Sequence, residues 1–296
     1  MTVVQIKRVY NRIVAESLEN NVQIETMKIE HGSGRTILLI SPHADDPAFF
    51  LGGTIALWAE MGWRIVCVRV TDDRWDSHGL TEVQTIKNNT DQLHAAASVL
   101  GISEIVELGY NTDVLGDASE VALREKIIRM IRTYKPYALV SFDPFSMYGE
   151  DNEDHLVVAK ACNEAFWTSQ FDLHHPEHFA DGLEPHGCFE RWYFGRRLTE
   201  ITHVVDISSV LDKKVRAAQC HVTMMLNYAN QLAMQARTAG KKATLAEEAI
   251  RSGDPSRMID LFIRRGSEAT GSHHSLGAAE EFRIIRFGGL SALLED

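Results

Sequence analysis

The feature that most constrains this chain is an alternation of short apolar runs of β type with stretches of helical spacing, each run stopping at a polar loop. Thr36-Ile37-Leu38-Leu39-Ile40 ends at Ser41-Pro42-His43-Ala44-Asp45-Asp46, and a helical pattern through Phe50, Leu51, Ile55, Leu57 and Trp58 then runs to Gly62. A second run, Ile65 to Val70, ends at Thr71-Asp72-Asp73. The pattern repeats with a helix near 82–100 closed by Gly101, a strand near 105–108, a helix near 120–134 and a strand near 137–142. Repeated β-α units of this kind build an α/β, Rossmann-like fold, a mostly parallel sheet flanked by helices. After Ser169 a stretch containing His and Pro interrupts the pattern. Strands resume near 192–194 and 203–207, and helices dominate from 210 to about 265. The stretch 266–277, rich in Gly and Ser, reads as a mobile loop. One domain over 1–296 is expected, with a core at about 35–208 and a C-terminal helical and loop cap at about 209–296.

Composition narrows the function. Asp and Glu outnumber Lys and Arg by 41 to 30, and no basic run is present, so the attraction that drives nucleic-acid binding is missing. The first 21 residues scatter charges among their apolar positions, unlike a signal peptide or a spanning helix, which predicts a cytoplasmic protein with no membrane insertion. Cys67, Cys162, Cys188 and Cys220 lack close pairing, and Cys67 sits in an apolar strand pattern, so buried reduced thiols are expected rather than disulfides. A homo-oligomer stays open.

In open parallel sheets, ligands collect beyond the carboxyl ends of the strands. His43 to Asp46, Thr71 to Arg74, Asn111 to Asp113 and Asp143 to His155 all follow expected strands, so four polar loops point at one rim. A dinucleotide site would need a G-x-G-x-x-G turn after the first strand. Gly32-Ser33-Gly34 precedes that strand instead and cannot cradle a pyrophosphate.

His43, Asp45 and Asp46 in one loop, with Asp154-His155 in another, supply imidazoles and carboxylates of the kind zinc takes. A catalytic zinc uses three protein ligands and keeps a position open for water. His43, Asp46 and His155 fit that count, and Asp45 is left beside them as a base. Taken singly, each has a plainer explanation: an Asp after a strand often caps the next helix, and a lone His is usually a surface or core residue.

Ser41-Pro42-His43-Ala44-Asp45-Asp46, followed by Leu51-Gly52-Gly53-Thr54, resembles the P-H-P-D-D…GG segment of the PIG-L/LmbE family of zinc-dependent N-deacetylases. Further resemblances follow in order: Val70-Thr71, the A-A-x-x-L-G helix end at Ala95 to Gly101, Leu108-Gly109 with Asp113, and Lys135-Pro136. Then come Asp154-His155 from H-P-D-H, Val205 to Ser208, Lys213 to His221, and Ala279-Glu280 with Phe282. The resemblance implies a zinc ion, or another divalent metal, on His43, Asp46 and His155. It also implies Asp45 as general base and Asp154 as a carboxylate that orients an active-site group. The implied reaction is hydrolysis of an N-acyl, chiefly N-acetyl, amide on a small N-acylated substrate containing an amino sugar.

Two positions depart from the family pattern. Ala44 replaces a Pro, which frees a φ angle but removes no functional group. Asn152 and Glu153 replace the first His and the Pro of H-P-D-H, and Asn152 can donate a hydrogen bond but cannot carry a proton at neutral pH. Asp73, Arg74, Tyr148 and His221 are candidate substrate contacts, each with a structural alternative, and for His221 a histidine packed beneath the site is preferred. The cluster His174, His175, His178 and His186 has irregular spacing and reads as loop decoration; His273 and His274 are ambiguous. Competing readings are an amidase for a longer acyl group or a non-sugar amide, and a binding protein that has lost catalysis. Retention of Asp45 speaks against the last, since binding alone needs no base.

Overall fold

The computed structural model describes residues 24–286. The N-terminal stretch 1–21, read above as carrying no leader, and the end of the expected cap beyond 286 lie outside the described residues. The eight strands among the described residues are β1 (Glu25–Met27), β2 (Thr36–Ser41), β3 (Arg64–Thr71), β4 (Glu104–Tyr110), β5 (Ala138–Phe142), β6 (Glu190–Phe194), β7 (His203–Asp206) and β8 (Ala279–Arg286), in the order β1-β7-β8-β6-β5-β2-β3-β4. Neighbours pair in parallel except β8, which runs antiparallel to both β6 and β7.

Buried strands of this sheet face helices on both sides. Ile37 and Leu39 of β2 point into one core and Leu38 and Ile40 into the other, as the two-residue period of a strand requires. The first core is closed by α1 (Asp46–Glu60), α2 (Glu82–Leu100) and α6 (Leu211–Ala218). The second is closed by α3 (Glu120–Tyr134) and α4 (Glu153–Thr168), through Ile127, Ile131, Val158 and Cys162. The expected mostly parallel α/β sheet is therefore observed. A short α5 (Pro176–Ala180) lies in the irregular stretch, and the cap adds α7 (Val222–Thr238), α8 (Thr244–Ser252) and α9 (Ser256–His273). All four cysteines are free, three of them buried. Among the described residues no helix is long and apolar enough to cross a membrane.

The expected loop at 266–277 is corrected: α9 continues to His273. Its buried residues Ile259, Ile263, Ser267 and Gly271 recur every four positions, a helical stripe that outweighs the poor intrinsic propensity of Gly and Ser. Gly271 serves close approach, since a Cβ there would lie 2.8 Å from the backbone of Ala278. Tertiary packing thus decides a segment whose composition suggested mobility.

A second use of Gly shapes the first helix. α1 breaks at Leu51, whose φ of −135° is not helical, and restarts at the Gly-Gly-Thr segment. A Cβ on Gly53 would sit 2.6 Å from Ile207, so only Gly lets this half of the helix reach its neighbour. The restart exposes backbone N–H groups, and the buried carboxylate of Glu280, on β8, accepts from Gly53 N and Thr54 N at 2.9 and 2.8 Å. Lys214 Nζ on α6 pairs with the same carboxylate at 2.7 Å.

Candidate metal centre and active site

Counting from β2, the chain lays down β3 and β4 on one side and then returns to place β5 and β6 on the other. The order reverses between β2 and β5, and the crevice beyond their carboxyl ends is where open α/β sheets bind ligands. His43 follows β2, Asp46 opens α1, and His155 sits in the first turn of α4, just after the β5 loop. All three are buried, and their donor atoms lie within 4.8 Å of one another. His43 Nδ1 faces His155 Nε2 at 3.1 Å. Asp46 lies between them, with one oxygen 3.5 Å from His43 Nδ1 and the other 3.4 Å from His155 Nε2.

A carboxylate stands behind each imidazole. His43 Nε2 is 3.3 Å from Asp154 Oδ2, and Asp154 in turn accepts from the backbone N–H groups of Asp113 and Leu115 at 2.7 and 3.3 Å. His155 Nδ1 is 3.0 Å from Glu150 Oε2, whose other oxygen pairs with Arg196 at 3.1 Å. Phe142 stacks on the His155 ring with centroids 3.9 Å apart. Burial alone would raise the Asp46 pKa, yet the charge and hydrogen bond of His155 and the hydrogen bond of His43 hold it far below the ordinary carboxylate range. Burial likewise opposes charging His155, but Asp46 outweighs it and lifts the imidazole to about 9. Two converging ring nitrogens, a shared ionised carboxylate and a carboxylate behind each ring form a donor set that a divalent cation satisfies better than two adjacent imidazolium protons do.

Residues 38–166 match the family model described as PIG-L: GlcNAc-PI de-N-acetylase. That stretch is similar to the PIG-L family. The chain is 28% identical to the diacetylchitobiose deacetylase of Thermococcus kodakarensis over 192 residues, covering 63% of this chain and 69% of that one. It is 25% identical to the 4-oxalmesaconate hydratase of Pseudomonas putida, covering 70% and 82% respectively. Its fold is that of the N,N'-diacetylchitobiose deacetylase from Pyrococcus horikoshii, with a TM-score of 0.70 across 97% of each chain and 20% identity.

A cavity of about 810 Å³ opens over the cluster, lined in part by His43, Asp45, Asp46, Asp76, Asn152 and His155. Asp45 precedes α1 but makes no side-chain cap bond. Burial, and next the charge of Asp46, push its carboxyl up to about 8, so its proton affinity is high beside the cluster. Asn152 caps α4: its side-chain oxygen accepts from Asp154 N at 2.9 Å, which leaves its amide nitrogen as the atom able to donate elsewhere. The structure therefore gathers His43, Asp45, Asp46, Asn152, Asp154 and His155 at one centre.

Of the four candidate substrate contacts only Asp73 comes near them, its carboxylate within 4.8 Å of a His43 ring nitrogen. Asp73 is buried beneath the rim, accepting from Ala44 N at 3.0 Å and from Thr71 Oγ1 at 3.1 Å, with Arg69 3.4 Å away; it holds the His43 loop instead of facing the cavity. Arg74 closes on its neighbour Asp72 through Nε and an Nη nitrogen. Tyr148 is 98% exposed and away from the cavity lining. His221 is buried before α7, its ring edge-on to Phe49 at 6.2 Å, and burial lowers its pKa to about 4. A histidine packed beneath the site is the preferred reading from sequence, and this geometry agrees with it. The His-rich stretch is structural as well: His178 Nε2 donates to Glu125 at 2.6 Å and its Nδ1 accepts from Arg132 at 3.1 Å, while Arg132 donates to four backbone carbonyls of 169–175.

Sequence reasoning missed Glu150, Arg196, Asp76 and Tyr228. Asp76 and Tyr228 line the cavity, and the charge of Asp45, followed by burial, raises the Tyr228 phenol, which places it within electrostatic reach of the base candidate. Asp76 is pushed up to about 7 by burial and then by Asp73. A helix that crosses back over the site from the cap leaves no local signal, since nothing at position 228 marks which strand end it will cover.

Proposed function

We propose that this protein hydrolyses an N-acyl amide, foremost an N-acetyl group, on a small molecule containing an amino sugar, using zinc held by His43, Asp46 and His155. The observation that supports the reading most is Asp45, a buried carboxylate that caps nothing and opens on the cavity beside those donors. Zinc bound there would supply Lewis-acid polarisation of the amide carbonyl and acidify water. Asp45 then takes the proton of the attacking water and returns it to the leaving amine, so base and acid are one group acting in sequence. Asn152 Nδ2 donates to the oxygen on which charge develops, in place of an imidazole. Asp154 and Glu150 keep both histidines in one ring orientation. Free buried thiols suit a reducing, cytoplasmic setting.

The Pseudomonas relative, a hydratase, supports a second reading, because adding water to a double bond also needs a base beside a bound substrate. Release of a primary amine separates the two. Zinc-loaded protein is expected to liberate glucosamine from one or more N-acylglucosamine conjugates; no amine from any member of an acylated panel, with metal present at one equivalent, would remove the hydrolase reading.

A further inference from the structure

The cavity of about 810 Å³ lies in the upper part of the roughly 300–1,000 Å³ range of sites that enclose drug-sized ligands, far more than an acetyl group fills. Its walls differ. Toward β6 it is polar, with Asp151, Asn152, Arg196 and Arg197. The cap side carries an apolar strip of Met225 and Leu232 from α7 and Met258, Phe262 and Ile263 from α9, flanked by the polar Gln231, Gln235 and Thr270. Leu232 and Phe262 remain 48% and 63% exposed. Phe49, three residues after Asp46, lies 6.4 Å from Phe262, so the apolar strip begins at the metal cluster and continues to the rim. One turn beyond Phe262 on the same helix, Gly266 lines the same space, and a Cβ there would meet nothing within 4 Å.

We propose that this wall is a subsite for an alkyl or aryl group carried by the N-acyl substrate, an inference that rests on the hydrolase reading above. Continuity with the cluster makes the occupant part of the reacting molecule, and the thioether side chains adapt to a chain of variable shape. The apolar group enters either as the acyl chain or as the aglycone of the sugar.

Two series tell these sources apart: N-acetyl-, N-hexanoyl- and N-octanoylglucosamine, and the methyl, hexyl and octyl glycosides of N-acetylglucosamine. Each buried methylene is worth up to about fourfold in kcat/KM, so one series should rise at least tenfold from its shortest to its longest member. The series that rises identifies the source. Gly266→Leu fills the empty space while favouring the helix, and should cut the long-to-short ratio at least tenfold; Phe262→Ser should lower it too. Calorimetry on the zinc-loaded Asp45→Asn protein, with methyl and octyl glycosides, needs no turnover. Tighter octyl binding that Gly266→Leu abolishes sustains the subsite even if no amide is cleaved, which would leave the hydrolase reading to fail alone. Flat series with equal binding of both glycosides overturn the subsite. So does a Phe262→Ser protein that changes from oligomer to monomer with its chain-length preference intact, since the strip is then an interface between copies.

Discussion

Asn152 and Asp154 are joined by a hydrogen bond of 2.9 Å from the backbone N–H of the aspartate to the side-chain oxygen of the asparagine. One residue thereby starts α4 and, through Asp154, steadies the ring of His43. Capping and catalysis can be separated here, because Asp caps a helix as well as Asn but offers no donor when ionised. Asn152→Asp should keep the melting temperature and lower kcat by about 10²–10³, the scale of one oxyanion donor. Asn152→Ala should lose both, with about 1 kcal/mol of stability gone as well. Asn152→His should remain active with a pH profile gaining a limb near neutrality. Parent-like turnover in both Asp and Ala variants would place the side chain outside the chemistry.

The carboxylates behind the histidines give a second expectation. Asp154→Asn and Glu150→Gln should still bind zinc, about 10–100-fold more weakly, because they release ring orientation and not a ligand. His43→Ala, Asp46→Ala and His155→Ala should lose the metal altogether. Competition against a chelator of known affinity measures both; full-affinity metal in His155→Ala would refute the ligand assignment.

For Asp45, the amide variant is the cleanest probe. Asp45→Asn preserves shape and should retain one equivalent of zinc, yet turnover should fall about 10²–10⁴-fold. A metal-replete variant with near-parent kcat would remove Asp45 from proton transfer.

His221 makes stability depend on pH. Its folded pKa, about 4, lies below the unfolded value of 6.5 because burial penalises the charged ring. Between these values the unfolded chain binds the extra proton, so stability is full above pH 6.5 and declines as pH falls toward 4, by up to about 3 kcal/mol. His221→Leu should flatten that decline in metal-free protein, read as a smaller drop in melting temperature from pH 7 to pH 5. An unchanged slope would assign the acid sensitivity to other groups.

Much of this was legible in the sequence because it is local. Strand β2 is an unbroken apolar run, and His43, Asp45 and Asp46 follow it within a single turn of chain, so both the sheet and half of the cluster could be read together. His155 was found because Asp154-His155 follows a strand and resembles the end of the family's H-P-D-H segment. What stayed hidden depends on distance in space. Glu150 looks like any loop acid until α4 brings His155 back to it, and Tyr228 is one aromatic among many on a cap helix. Asp73 and Arg74 misled for the opposite reason: they stand at a strand end where ligands gather, but Arg69 and the Ala44 amide claim one, and Asp72 the other. The stretch 266–277 misled through composition, its small residues serving contact with the Ala278 backbone instead of freedom.

The carboxylate of Glu280 reaches from β8 to the amides of Gly53 and Thr54, and β8 itself threads between β6 and β7. On the ribosome, the strand bearing Glu280 emerges more than two hundred residues after the helix it secures. Until then the restart of α1 has unsatisfied donors and Lys214 has no counterion. The second half of α1, which restarts just after the turn bearing Asp46, is therefore secured only once β8 has been synthesised, and the nascent chain should hold this helix loosely until then.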